Sequence, residues 1–195
     1  MPRTQEENDR IRQAAKDNIR SAAIAIFIEK GYHDASIDDI AKRAGVSKGL
    51  IYNYYKGKEE LLAEMVRTRI EDINHVMQTA ATLDTPSEQL VHIIEGALHN
   101  VQQHPNVYRF YLHLQTQPEE DKVLARYSQM LNEAMADQFE VQCDMFAKLG
   151  DKDERMTSLY FSSTLHGAMQ MISTYPDRFP VDDIKKKIIQ QFCGG

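Results

Sequence analysis

The 195-residue chain contains only two cysteines, Cys143 and Cys193, with no ligand-like spacing between them. That excludes a disulfide framework and a cysteine-built metal site, so both are read as ordinary thiols. Long apolar runs are also missing. The longest uncharged one, SAAIAIFI at 21–28, falls far short of the ~20 residues that span a bilayer, and the opening MPRTQEENDR has no apolar signal core. A soluble, cytoplasmic protein with no membrane partner is therefore expected. No alternating β-branched run asks for a sheet, and there is no internal repeat or low-complexity tract. A Gly-x-Ser-x-Gly elbow, a phosphate loop and a nucleotide fingerprint are all absent, so neither enzymatic activity nor a cofactor is expected.

Positive charge is scarce overall, with a formal net of −6, which by itself speaks against nucleic acid. The charge is unevenly placed, however. From Arg10 to Lys58 there are ten Lys and Arg against five Asp and Glu, a net of +5, whereas residues 59–195 carry twelve against twenty-one, a net of −9. A basic head precedes an acidic body. Such asymmetry suits a chain that meets a polyanion at one end.

With 42% hydrophobic residues the chain can bury a core, and its periodicity is helical throughout. Ile11, Ala15, Ile19, Ala22 and Ile26 recur at spacings of three and four, ahead of a stop at Gly31. Ser36 with Asp39 reads as a capping box opening a short helix that ends at Gly45, and Ser47 caps a second running to about Tyr55. Lys58–Glu59–Glu60 starts a long helix to about Ala81, and Thr85–Pro86–Ser87–Glu88 opens another that His104–Pro105 closes. Pro118 and Gly150 bound the next long helix, and Pro176 and Pro180 separate the last two. The fold expected is all-α, with about nine helices: a three-helix head over 1–57 and a larger helical body over 58–195.

Two short capped helices joined at Ala44-Gly45-Val46, behind a longer one, form a helix-turn-helix, whose second helix enters the DNA major groove. In that second helix Ile51 and Tyr55, four apart, turn inward, leaving Lys48, Gly49, Tyr52 and Asn53 outside. Gly49 costs the helix about 1 kcal/mol relative to alanine, a loss that close approach of another molecule explains. Lys48 can donate to guanine O6 and N7, Asn53 can pair with an adenine edge, and tyrosine hydroxyls and Lys58 can hold phosphates.

The stretch IFIEKGYHDASIDDIAKRAGVSKGLIYNYYKGKEELL resembles the tetracycline-repressor (TetR) family of bacterial transcription regulators, the likeness running from about Ile19 to Leu62. The family's glycine-aromatic step is present at Gly31-Tyr32, its Ile-Ala at Ile40-Ala41, its Ala-Gly-Val-Ser at Ala44 to Ser47, and its Gly-x-x-Tyr at Gly49 to Tyr52. Tyr55 stands where the family usually has phenylalanine, Gly57 where serine or asparagine is common, and Ala35 where threonine is frequent, which puts one phosphate contact in doubt. The resemblance implies that Lys48, Gly49 and Asn53 face bases, while Ser36, Ser47, Tyr52, Tyr54 and Lys58 hold phosphates. It further implies a homodimer that binds double-stranded operator DNA as a repressor and is released when a small-molecule effector alters the spacing of the recognition helices.

For the body the expectations lean on the same resemblance. Ser163 and Gly167 on the penultimate helix, with Ile184, Ile188 and Phe192 on the last, are expected at the dimer interface, the alternative being intrachain core. Methionines and aromatics accumulate between Tyr108 and Met171, and Tyr111, Met130, Phe139 and His166 are the effector-lining candidates. Glu88, His92, Glu95 and His99 raise the rival of a helical metal-dependent enzyme, but the histidines fall opposite the helix's apolar face and Glu95 and His99 are four apart rather than three. A helical protein-interaction module that no longer binds DNA is the other alternative.

Overall fold

In the computed structural model residues 4–194 are described. Among them lie nine α-helices and no strand: α1 (Gln5–Lys30), α2 (Ile37–Ala44), α3 (Lys48–Tyr54), α4 (Lys58–Ala81), α5 (Pro86–Gln103), α6 (Pro105–Gln115), α7 (Lys122–Lys148), α8 (Glu154–Thr174) and α9 (Val181–Cys193). The all-α architecture is the one expected. Among the described residues no helix is long and apolar enough to cross a membrane.

The chain forms two compact units that divide between Arg67 and Thr68, inside α4 rather than at its start. The reason lies in what the first turns of α4 bury. Leu61, Leu62, Met65 and Val66 are each at most 1% exposed and close the core of the head, together with Ile19, Ala23 and Phe27 of α1, Ile40 and Ala41 of α2, and Ile51 of α3. The apolar stripe of α1 is shorter than its periodicity suggests. Ile11 is 43% exposed, and full burial begins only at Ile19.

In the body, α5 packs against α6, α7, α8 and α9. Its buried face is Leu90, Ile93, Ile94, Leu98 and Val101, an apolar stripe at helical spacing. Thr85 and Glu88 start it with the reciprocal capping box, and Pro86 occupies the first turn, where no amide partner is lost. The segment between Pro105 and Pro118, to which periodicity assigned nothing, folds as α6, with proline again in its first turn. Three phenylalanines from three helices form the aromatic centre: Phe161 of α8 has its ring centroid 5.6 Å from Phe146 of α7 and 5.2 Å from Phe192 of α9. Ser87 Oγ donates to the Cys193 carbonyl oxygen at 2.6 Å, fastening the start of α5 to the end of α9. Burial also pushes the Cys193 thiol up to about 11, so the sulfur stays protonated and unreactive near neutrality.

Because Phe192 is 8% exposed and meets three other rings, Phe192→Ala is expected to destabilise the body by about 3–5 kcal/mol. Urea unfolding followed by circular dichroism measures this.

Candidate nucleic-acid interface

The head presents its second short helix through local chemistry that can be followed residue by residue. Gly45 adopts φ +66°, the left-handed conformation that ends α2, and its amide together with that of Val46 returns to the carbonyls of Lys42 and Ala41. Asn18 Nδ2 of α1 donates to the Ala44 carbonyl at 2.8 Å, holding the turn against the first helix. Two residues later Ser47 Oγ accepts from the Leu50 amide at 3.1 Å and starts α3.

On α3, Ile51 is fully buried and Tyr55, which closes the helix, is 1% exposed. Lys48, Gly49, Tyr52 and Asn53 all lie on the exposed side, Leu50 and Tyr54 are half-buried, and the inward and outward sets are those expected from the helical wheel. A Cβ built on Gly49 would meet only Ser47 Oγ, at 3.8 Å, an ordinary contact. Nothing inside the chain therefore requires glycine there. Lys48 is not idle in this structure. Its Nζ lies 2.9 Å from Asp38 Oδ1, and Lys42 holds the other oxygen of the same carboxylate at 2.8 Å. These two lysines keep the Asp38 carboxyl below its usual range.

The body contains a cavity of about 120 Å³ walled by α4 to α8. Of the expected lining residues, Tyr111 and His166 border it; Met130 and Phe139 do not. The inward stripe of α7 is Leu131, Met135, Gln138 and Gln142, and Met130 and Phe139 each sit one residue, about 100°, away from it. Phe139 instead lies beneath the Arg155 guanidinium at 5.4 Å. Arg69, Tyr108 and Met169 also line the space and escaped the sequence reading, Arg69 because nothing in its local pattern marks a cation that turns inward. The interface candidates divide as well. Ser163 and Gly167 are exposed, on the same side of α8 as the exposed Met156, Tyr160 and Met171, whereas Ile188 and Phe192 are buried within the chain and Ile184 is half-buried. The apolar stripe of α9 is thus turned toward its own body. As for the metal rival, Glu95 and His99 are exposed, the Glu88 carboxylate is engaged by Thr85, and no group of three or more metal-ligating side chains occurs among the described residues.

Residues 19–65 match the family model of bacterial regulatory proteins of the tetR family. The chain carries a TetR-family head. The fatty acid metabolism regulator protein of Bacillus subtilis is 34% identical to it over 77 residues, 39% of this chain and 40% of that one. The HTH-type transcriptional activator FasR of Mycolicibacterium smegmatis is 31% identical over 78 residues, 40% of this chain and 36% of the relative. The chain thus spans less than half the length of these curated relatives, and all of them are named as regulators rather than enzymes. Solved structures extend the likeness in fold over the body. The fatty acid degradation regulator FadR of Bacillus halodurans superposes with a TM-score of 0.70 over 93% of this chain and 95% of its own, at 20% identity. FadR of Bacillus subtilis, solved in complex with stearoyl-CoA, does so with a TM-score of 0.68 over 91% and 97%, at 21% identity.

Within the TetR-type head, two of the expected phosphate ligands are committed elsewhere. Lys58 Nζ donates to three backbone carbonyls of the loop after α1, those of Tyr32 at 2.8 Å, His33 at 2.6 Å and Ala35 at 3.0 Å, and lies 4.8 Å from the Tyr32 ring centroid. An ammonium has three N–H donors, and all are used. Within the chain Lys58 is a structural clasp. Ser36 Oγ donates to Asp39 Oδ2 at 2.6 Å while accepting the Asp39 amide, so its single hydroxyl hydrogen is spent on the capping box. Lys30 and Ser36 together hold the Asp39 carboxyl at about 2. Ser47 differs, since capping uses only its lone pair and leaves the hydrogen to donate. Tyr52 is 55% exposed, and Tyr54 has the Arg12 guanidinium 5.7 Å from its ring.

Tyr55, the departure from the family's phenylalanine, also has a partner. Its hydroxyl donates to Glu64 Oε1 at 3.0 Å, and Lys16 of α1 binds the same carboxylate at 3.0 Å. Burial, with Glu64 beside it, raises the phenol well above its usual range, so it remains a donor. The ring fills the position of a phenylalanine and the hydroxyl adds a tie from α3 to α1 and α4.

Lys58→Met is expected to lower the stability of the head by about 2–3 kcal/mol, because three carbonyls lose a charged donor at once. Guanidinium unfolding measures the loss, and an unchanged midpoint would return Lys58 to the surface lysines.

Proposed function

We propose that this chain is a sequence-specific DNA-binding transcription regulator: a homodimer that represses from a two-fold symmetric operator and is released by a small-molecule effector held in the body. The observation that carries the reading is α3 itself. It exposes a lysine and an asparagine beside a glycine for which the chain has no internal use. In the major groove Lys48 reaches guanine acceptors, Asn53 an adenine edge, and the bare backbone at Gly49 lets the helix lie close to the bases. Ser47, Tyr52 and Tyr54 are the phosphate ligands in this reading, now without Ser36 and Lys58. The regulators named among the relatives support the same class of activity.

Dimerisation supplies the second half of an operator. Recognition helices that read one DNA face must stand about 34–36 Å apart, so a ligand that binds a different spacing more tightly releases the DNA. The face proposed for pairing is the exposed side of α8, with Met156, Leu159, Tyr160 and Met171 flanking Ser163 and Gly167. Small residues four apart let helices approach closely. The exposed apolar side chains around them favour cover by a second copy over solvent.

Selection of bound duplexes from a randomised pool at moderate salt is the first test. Enrichment of a palindrome supports the regulator, and an absence of DNA binding leaves the interaction module. Against the selected site, Lys48→Ala is expected to relax discrimination at one base position by about 1–3 kcal/mol while leaving the other positions unchanged. A uniform loss across all sequences would make Lys48 a phosphate ligand instead. A Cβ at Gly167 meets nothing within 4 Å in its own chain, so Gly167→Arg is expected to fold normally yet sediment as a monomer. A variant that still sediments as a dimer would move the interface off α8.

A further inference from the structure

The cavity of the body holds a desolvated charge with no ion-pair partner among the described residues. Arg69 projects from α4 into its wall, and the surrounding protein desolvates the guanidinium enough to pull it below its usual range. Yet the side chain is not sealed off: it keeps intermediate exposure. Both hold together if the accessible part of the group faces the cavity. Its neighbours are poor compensation. The Tyr111 ring centroid is 5.7 Å away, and Asp72 on the same helix, exposed at the cavity edge, favours the charge together with Tyr111 and Tyr108 without outweighing the desolvation or closing an ion pair. A desolvated cation without an ion-pair partner costs stability unless something anionic joins it.

Some of the other polar groups of the lining are engaged with each other, while the amides of Asn100, Gln115 and Gln138 also border the space. Ser162 Oγ donates to Gln142 Oε1 at 2.8 Å, and His166 Nδ1 meets the Ser162 carbonyl at 2.8 Å. Ile73, Val76, Ile93, Leu165 and Met169 supply apolar surface to the same wall. Size narrows the guest further. At about 120 Å³ the space is of the same order as an engineered apolar cavity of about 150 Å³ that takes one benzene ring. A stearoyl chain, such as the Bacillus subtilis neighbour was solved with, is far longer than this space.

The geometry points to a small organic monoanion as the effector, its acid group paired with Arg69 and its ring or short branched chain set against Ile73, Val76, Ile93, Leu165 and Met169. This rests on the effector-released regulator proposed above and gives its ligand a chemical class. Arg69 binds the acid group through paired N–H donors, and Tyr111 holds the guanidinium in place from its ring face.

The test is calorimetric titration of the full-length protein, without DNA, with benzoate, phenylacetate and 4-methylvalerate, each beside its uncharged amide, and with stearoyl-CoA. At least one carboxylate is expected to bind ten-fold or more tighter than its amide, and Arg69→Gln is expected to abolish that difference while Arg69→Lys keeps part of it. Arg69→Met is expected to melt, ligand-free, at or above the temperature of the parent, since it removes a cation whose desolvation outweighs the support of its neighbours. A structural arginine would give the opposite shift. Equal binding of acid and amide, binding of stearoyl-CoA alone, or no binding of any probe overturns the inference. Because titration needs no operator, carboxylate binding in a protein that ignores DNA would overturn the regulator and leave the anion site standing, and operator binding without carboxylate binding would do the reverse.

Discussion

A helix of seven residues cannot hold itself together in water, and everything the head can do depends on how α3 is held from outside. Ile51 and Tyr55 do this by burial, and the Tyr55 hydroxyl adds a directional tie through Glu64 to Lys16 on α1. The Asn18 bond to the Ala44 carbonyl holds the turn before α3, and Lys58 draws the start of α4 onto the loop before α2. Each tie reaches across many residues of sequence. Together they turn a marginal helix into a rigid surface.

Much of this was legible in advance, because caps and wheels are local. Ser36, Ser47 and Thr85 accept the amides that their spacing implied, Gly45 takes the left-handed turn, and Ile51 and Tyr55 face inward. The clasp made by Lys58 was not legible, for an instructive reason. A lysine near a helix-turn-helix and a lysine clasping three carbonyls have the same letter and nearly the same position, and only the fold brings the carbonyls of Tyr32, His33 and Ala35 to it. The domain boundary shifted for a related reason, since helix α4 starts at Lys58 but its first buried residues serve the head.

The body was harder to read because its helices bury residues on more than one side. On α7, Leu131 and Met130 are equally apolar neighbours, yet only one borders the cavity. On α9 the apolar stripe suited an interface or a core equally well, and the phenylalanine cluster with Phe146 and Phe161 claims it for the core. Arg69 is the sharpest case. Charge ordinarily signals surface, so a cation turned into a cavity contradicts the pattern from which the sequence was read.

The contact between Lys48 and Asp38 gives the proposed base contact an internal rival. A lysine already satisfied by a carboxylate gains little from a loose encounter with a passing phosphate, and exchanges partners at a profit only where a base edge offers a well-placed acceptor. For a head that reads DNA, the aspartate therefore works as a threshold. In the proposed reading it would lower attraction to the many wrong sites more than to the few right ones, so that an acidic residue beside the recognition helix sharpens selectivity while weakening adhesion.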